Sequence, residues 1–177
     1  TKLIFVCNPN NPTGTITKKD DIQQLIDKAP DHALIVFDEA YYEYADDPEY
    51  PDTMEYFKAG KNVVLLRTFS KVYGLAGLRV GYGFVSAELG DVVHRVRNPF
   101  NVNELAQIAA MVSLEDEEHV KKALDFNNRG KEQFYRECER LGLDYVPSQA
   151  NFILVDVKRD SVEVFEKLLK KGVIVRP

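Results

Sequence analysis

The 177-residue sequence is short of cysteine, of long apolar runs and of clustered positive charge, and each shortage removes a class of protein. Cys7 and Cys138 are its only cysteines, far apart and without a CxxC pair, so they read as reduced thiols of a cytoplasmic protein. Its longest apolar runs, such as Leu34 to Phe37 and Val63 to Leu66, fall far short of the roughly 20 residues needed to cross a bilayer. No membrane or signal segment is expected. Lysine and arginine total 23 against 28 acidic residues, for a net charge of -5, and no dense basic stripe is present. Nucleic acid is therefore not an expected partner. Asn11-Pro12-Thr13 has proline in the position that blocks N-glycosylation and gives no support for secretion. GxGxxG after a strand, GxxxxGK[ST], HExxH and GxSxG are all missing. His32, His94 and His119 are scattered without metal-ligand spacing, and no metal is expected.

What is present is the composition of a globular chain, 45% hydrophobic and 29% charged. A chain of this length can bury roughly 70% of its unfolded surface and needs no disulfide or metal to supply a core. Leu3 to Cys7 has the length and character of a strand, and the Asn, Pro and Gly of Asn8 to Gly14 make a tight loop after it. Thr17 with Asp20 resembles a capping box, and Ile22, Leu25, Ile26 and Ala29 follow at helical spacing until Pro30. Ala33 to Phe37, ending in Asp38, and Asn62 to Arg67, ending in Thr68-Phe69-Ser70-Lys71, give two more strands. Near-continuous apolar strands separated by helices or long connections predict an α/β fold with a mostly parallel sheet covered on both faces. Arg79 to Val85 is a fourth strand; its short connection suits an antiparallel neighbour without fixing the orientation.

Beyond Asn98-Pro99 the pattern turns helical, over Asn103 to Leu114 and again from Asp116 to a stop at Gly142. Glu117 with Lys121 and Glu118 with Lys122 stand at the favourable i to i+4 spacing, and Glu115 to Glu118 reads as helix-start electrostatics. Phe134, Cys138 and Leu141 form an apolar stripe, which makes Cys138 a packing residue. The tail reads as a strand (Ala150 to Val155), a helix (Val162 to Lys171, opened by Asp160 with Glu163) and a strand (Val173 to Val175). Residues 1–115 are expected to belong to a large domain and residues 116–177 to a smaller α/β one. The openings at Thr1 and Pro177, both in apolar strand-like sequence, suggest an internal portion of a longer protein.

Asn11, Asp38 and Lys71 each lie just past the carboxyl end of a different strand, the edge at which open parallel sheets bind ligands. An amide, a carboxylate and an amine thus converge from three segments.

Asn8-Pro9-Asn10-Asn11-Pro12-Thr13-Gly14, Phe37-Asp38-Glu39-Ala40-Tyr41, Thr68-Phe69-Ser70-Lys71 and Gly77-Leu78-Arg79-Val80-Gly81, in that order, resemble the fold type I pyridoxal-phosphate-dependent aminotransferases. The resemblance implies the PLP-dependent transferase fold and pyridoxal 5'-phosphate (PLP) as cofactor. Lys71 matches the catalytic lysine that bonds to the cofactor aldehyde. A lysine becomes a nucleophile only where desolvation or nearby cations favour its neutral amine, and once released it can carry a proton at the substrate carbon. Asp38 matches the carboxylate that pairs with the pyridine nitrogen and keeps it protonated. Tyr41 and Asn11 match the donors to the phenolic oxygen. Thr68, Ser70 and Arg79 match the phosphate cup, in which two hydroxyls and a guanidinium fork suit a dianion. Cys7 and Glu39 read as structural.

Pro99 to Gln107, Ser148-Gln149-Ala150-Asn151-Phe152 and Gly172 to Arg176 extend the resemblance to histidinol-phosphate aminotransferases over nearly the whole chain. It implies amino transfer between histidinol phosphate and 2-oxoglutarate, with Arg176 and Asn11 at the substrate, and a homodimer in the full-length parent. Threonine-phosphate decarboxylases, broad-specificity or aromatic aminotransferases, and the PLP-sensing domain of a transcription regulator share several of these features. Family members also carry an upstream glycine-containing helix start, ring-stacking aromatic and partner tyrosine, and a downstream substrate arginine, so the isolated fragment is expected to have little activity.

Overall fold

The computed structural model describes residues 1–177. Three apolar segments become parallel strands, β1 (Leu3–Cys7), β2 (Leu34–Asp38) and β3 (Val63–Thr68), and β4 (Gly81–Phe84) pairs antiparallel with β3. The strand order is β1-β2-β3-β4, with Cys7 opposite Asp38 and Thr68 opposite Gly81. A Cβ at Gly81 would stand 2.8 Å from the Arg67 carbonyl oxygen, so glycine lets β4 approach β3.

The period of two along each strand divides the side chains between the faces. Ile35, Phe37, Val63 and Leu65 point to one face and bury themselves with Ile22 of α1 (Lys19–Lys28). Ile4, Val6, Leu25 and Ile26, with Met54 and Phe57 of α2 (Thr53–Lys58), complete that core. The expected second cover is missing at the β1 edge, where Leu3 is 51% and Phe5 69% exposed. The reason is topological. Two successive crossovers of the same hand, stepping the same way across the sheet, leave both connections on one face.

The capping box expected at Thr17 does not form. The helix begins at Lys19 behind an uncapped Lys18, while the wholly buried Asn8 side chain accepts from the Thr17 N–H (2.9 Å) and donates to its carbonyl (3.0 Å). Three elements lack a clear signal in the sequence: α2, α3 (Ala87–Val96) and the short β5 (Asp144–Val146). β5 pairs antiparallel with β6 (Leu154–Asp156), a shorter strand than the expected Ala150 to Val155.

The helical half follows its caps. α4 (Glu104–Glu115) starts at Asn103, whose side chain accepts from the Ala106 N–H (2.9 Å). α5 (Glu117–Leu141) starts at Asp116, which accepts from the His119 N–H (2.9 Å), and ends at Gly142 in the left-handed conformation. Glu118 pairs with Lys122 at 2.6 Å, while Glu117 and Lys121 make no ion pair. Of the expected stripe only Cys138 is buried; Phe134 and Leu141 face solvent. Asp160 caps α6 (Ser161–Leu169) through the Glu163 N–H. Residues 173–175 form no strand: the Val173 N–H donates to the Leu168 carbonyl (3.0 Å), and Ile174 is 80% exposed.

Candidate active site

The parallel strands end together, and the loops leaving β1, β2 and β3 meet beyond their carboxyl ends. In the first loop, Gly14 donates to the Asn10 carbonyl (2.7 Å) and Asn10 to the Thr15 carbonyl (2.8 Å), which closes a tight ring around Asn11. The Asn11 amide, projecting from that ring, donates to the Tyr41 hydroxyl at 2.9 Å. Tyr41 is held from below in a buried cluster with Tyr44, Val72 and Ala150, and Phe152 meets its ring edge-on at 5.1 Å. The Lys71 ammonium lies 5.1 Å from the centre of the same ring. Asn11, Tyr41 and Lys71, separated widely in sequence, are thus brought to one point.

Asp38 ends β2 half-buried, and one of its oxygens accepts from the Ala40 N–H (3.2 Å). It enters none of the chain's ion pairs, and neither does Lys71. Cys7 stands opposite Asp38 in the ladder; partial burial and the neighbouring carboxylate push its thiol pKa up, away from the reactive thiolate.

Thr68 ends β3, and its hydroxyl accepts from the Ser70 N–H at 3.1 Å, curling the chain so that both hydroxyls sit in one turn. Phe69 anchors that turn with Val80, Ala106 and Ala110. Arg79 caps the short 3₁₀ turn Ala76–Leu78 with φ 55°, a left-handed conformation unusual for a residue with a side chain. Its guanidinium gives one bond to the Ala76 carbonyl (3.0 Å) and is otherwise exposed. Two hydroxyls and a guanidinium with bonds to spare are donors of the kind an anion takes. A ligand with a phosphate at one end and a protonated ring nitrogen at the other would match Thr68, Ser70 and Arg79 together with the cation-free Asp38, leaving Lys71 and the Asn11–Tyr41 pair for its middle. The residues present therefore fit PLP.

Arg176 is not part of this cluster's bonding. It is exposed on the irregular tail and makes no hydrogen bond or ion pair. Residues given no role by the sequence stand close behind the cluster instead. Arg67, one residue before Thr68, donates from Nε to Glu39, one residue after Asp38, at 2.8 Å; the Thr53 hydroxyl donates to the other carboxylate oxygen. The Arg67 guanidinium also stacks 3.6 Å over the Tyr42 ring. A lone arginine inside an otherwise apolar strand was the available signal. Glu39 is structural, as expected. The motif Ser148 to Phe152, met in the sequence as a mark of substrate class, packs here as support for Tyr41 and the first loop.

The family model "Aminotransferase class I and II" matches residues 1–177. Histidinol-phosphate aminotransferase of Caldicellulosiruptor saccharolyticus is 52% identical over 177 residues, which cover 100% of this chain and 49% of that protein. The protein of the same name from Moorella thermoacetica is 55% identical over 177 residues, covering 99% of this chain and 46% of the relative. Among solved structures, histidinol-phosphate aminotransferase from Sinorhizobium meliloti in complex with pyridoxal-5'-phosphate superposes with a TM-score of 0.90 at 29% identity, over 98% of this chain and 48% of the other. The chain spans about half the length of the curated relatives it matches.

Proposed function

The chain belongs to the class I and II aminotransferases, and on that footing we propose that the whole protein moves an amino group between histidinol phosphate and 2-oxoglutarate using PLP. The observation that carries the reading is the meeting of Lys71, Tyr41 and Asn11 beside an Asp38 that has no cationic partner. Identity near 50% to histidinol-phosphate aminotransferases supports the choice of substrate.

When bound, PLP supplies an aldehyde for the amine and a ring that withdraws electrons from the substrate carbon. Each residue of the chain then has a definite task. Thr68, Ser70 and Arg79 bind the cofactor phosphate through charge-assisted hydrogen bonds. Asp38 would accept from the ring N–H and hold the proton there, because a half-buried carboxylate is most favourable beside a positive partner. Asn11 and Tyr41 orient the ring by donating to its phenolic oxygen. Lys71 anchors the cofactor through Nζ and, when free, moves a proton to and from the substrate carbon as general base and acid. We assign Arg176 to the substrate phosphate and a further contact there to Asn11, both by family resemblance. We also place the whole enzyme in the cytoplasm as a homodimer, with a small domain beginning at Asp116. No helix is long and apolar enough to cross a membrane.

The test is the full-length protein, loaded with PLP and given histidinol phosphate with 2-oxoglutarate. Glutamate should form at a rate well above that with phenylalanine as donor. Preference for aromatic amino acids, carbon dioxide release from threonine phosphate, or cofactor binding without turnover would each replace the reading with one of its rivals.

A further inference from the structure

The segment Ser148 to Ala150 is bonded on two sides. Asn127, Lys131 and Tyr135 are spaced four apart on α5 and so share one face. All three grip the backbone of this short segment. The Asn127 amide donates to the Ala150 carbonyl (3.3 Å), Lys131 donates to the Ser148 carbonyl (2.9 Å), and the Tyr135 hydroxyl accepts from the Ser148 N–H (2.8 Å). Burial holds the Lys131 amine below its ordinary pKa, while the charge of Asp46 acts in the opposite direction.

On its other side the segment holds both loops that carry the Asn11–Tyr41 pair. The Gln149 N–H donates to the Gly14 carbonyl at 2.7 Å. The Gln149 side-chain oxygen accepts from the N–H groups of Asp46 (2.8 Å) and Asp47 (3.1 Å). Those two residues follow the 3₁₀ turn Tyr42–Tyr44 that starts from Tyr41, and Ala150 packs in the same cluster as Tyr41 and Tyr44. Gly14 closes the ring around Asn11. Two loops that touch at the site through the Asn11–Tyr41 hydrogen bond, and again where the Tyr50 hydroxyl donates to the Asn8 carbonyl (2.7 Å), are also joined farther back through one glutamine.

We propose that Gln149 is a positioning residue: it fixes the Asn11 loop against the Tyr41 loop and links their spacing to α5, so that the pair meets the cofactor's phenolic oxygen in one geometry. The inference rests on the PLP reading given above. A residue whose side-chain oxygen accepts two backbone N–H bonds from one loop while its backbone N–H donates to the other leaves little freedom to either. Effects of misplacement by about 1 Å at a reacting centre reach about 10²-fold in rate. Gln149 itself touches neither Lys71 nor Asp38 through any hydrogen bond, so its influence passes through the loops.

The experiment uses the full-length PLP-loaded protein with Gln149→Met, which keeps the length of the side chain and removes the acceptor, and with Lys131→Met. Ile22→Val, on the buried face of α1, serves as a control for general loss of stability. Amide hydrogen exchange at Asp46 and Asp47, measured without cofactor, should quicken at least about tenfold in Gln149→Met. PLP should bind more weakly, and kcat should fall about tenfold or more with KM little changed. Lys131→Met should act in the same direction, and the double variant should fall less than the product of the two single effects, since both break one linkage. The proposal is overturned if Gln149→Met lowers only the melting temperature, or if Ile22→Val at equal loss of stability shows the same fall in kcat, or if the two single effects multiply. An unaltered protein that neither binds PLP nor transfers amino groups would instead refute the functional reading and would be recognised before any variant was made.

Discussion

Arg67 Nε stands 2.8 Å from a Glu39 carboxylate oxygen, joining the end of β3 to the end of β2 one residue from Thr68 and one from Asp38. Both side chains are shielded, Glu39 completely and Arg67 to 11% exposure. Burial pushes the Glu39 carboxyl up, and the hydrogen bonds from Thr53 and Arg67 offset part of that rise. For Arg67, burial acts downward, but the hydrogen bond and charge of Glu39 outweigh it and hold the guanidinium charged. Replacing Arg67 by Met removes one partner and leaves the other buried. The expected cost is about 3–5 kcal/mol, since an uncompensated buried charge is far worse than an intact pair. Urea unfolding of the full-length protein measures it, and a loss under about 1 kcal/mol would show the pair to be dispensable.

Lys71→Ala should remove the visible absorbance band of the lysine-bound cofactor and lower amino transfer by at least about 10²-fold, the lower range for a positioned proton-transfer group. Stability should hardly change, because the Lys71 amine forms no ion pair. Absorbance spectra and a thermal scan on the same sample check both statements.

Alkali should unfold the protein over a defined window. Burial is the first cause raising the pKa of Tyr44, Tyr50, Tyr56, Tyr73 and Tyr82, with Tyr73 pushed up to about 12. In the unfolded chain these phenols titrate near pH 10. Below about pH 10 both states hold the protons and the contribution to stability is complete; as pH rises toward 12 the unfolded state releases them first and stability falls. Phenolate absorbance and circular dichroism should therefore change together above about pH 10. A phenolate titration completed near pH 10 with the fold intact would contradict the burial.

Gly14 has φ +73°, and a Cβ there would lie 2.8 Å from Ser148 Cβ and 3.1 Å from its Cα. The Ser148 hydroxyl is committed to the Ala150 N–H at 3.0 Å and cannot simply turn aside. Gly14→Ala combines backbone strain with a clash, and should cost about 1–3 kcal/mol in denaturant unfolding.

The sequence disclosed the parts of this molecule that follow a local rule. β1, β2 and β3 are apolar runs between turn residues, and α4, α5 and α6 begin at side chains that cap them, Asn103, Asp116 and Asp160. Strand ends alone pointed to Asn11, Asp38 and Lys71, of which Asn11 and Lys71 both reach Tyr41, and the family resemblance proposes roles for all three. What stayed hidden depends on distant contacts. Thr17 and Asp20 satisfy the pattern of a capping box, yet the buried Asn8 takes the Thr17 backbone first. Val173 to Val175 has strand composition, yet the Val173 N–H closes back onto the Leu168 carbonyl at the end of α6. Glu39 with Arg67 and Gln149 with Asp46 are partners across 28 and 103 residues, and no spacing announces such pairs.

Arg79 carries its guanidinium on a left-handed backbone, at a cost of roughly 1–2 kcal/mol that a glycine would not bear. The position therefore sets two selective pressures against each other. A search for thermostable variants would favour Arg79→Gly for the eased turn, while under the proposed role of Arg79 at the cofactor phosphate a screen for cofactor retention would reject the same substitution for its lost anion fork. An engineer raising the heat tolerance of the protein should hold this residue fixed and seek the gain elsewhere.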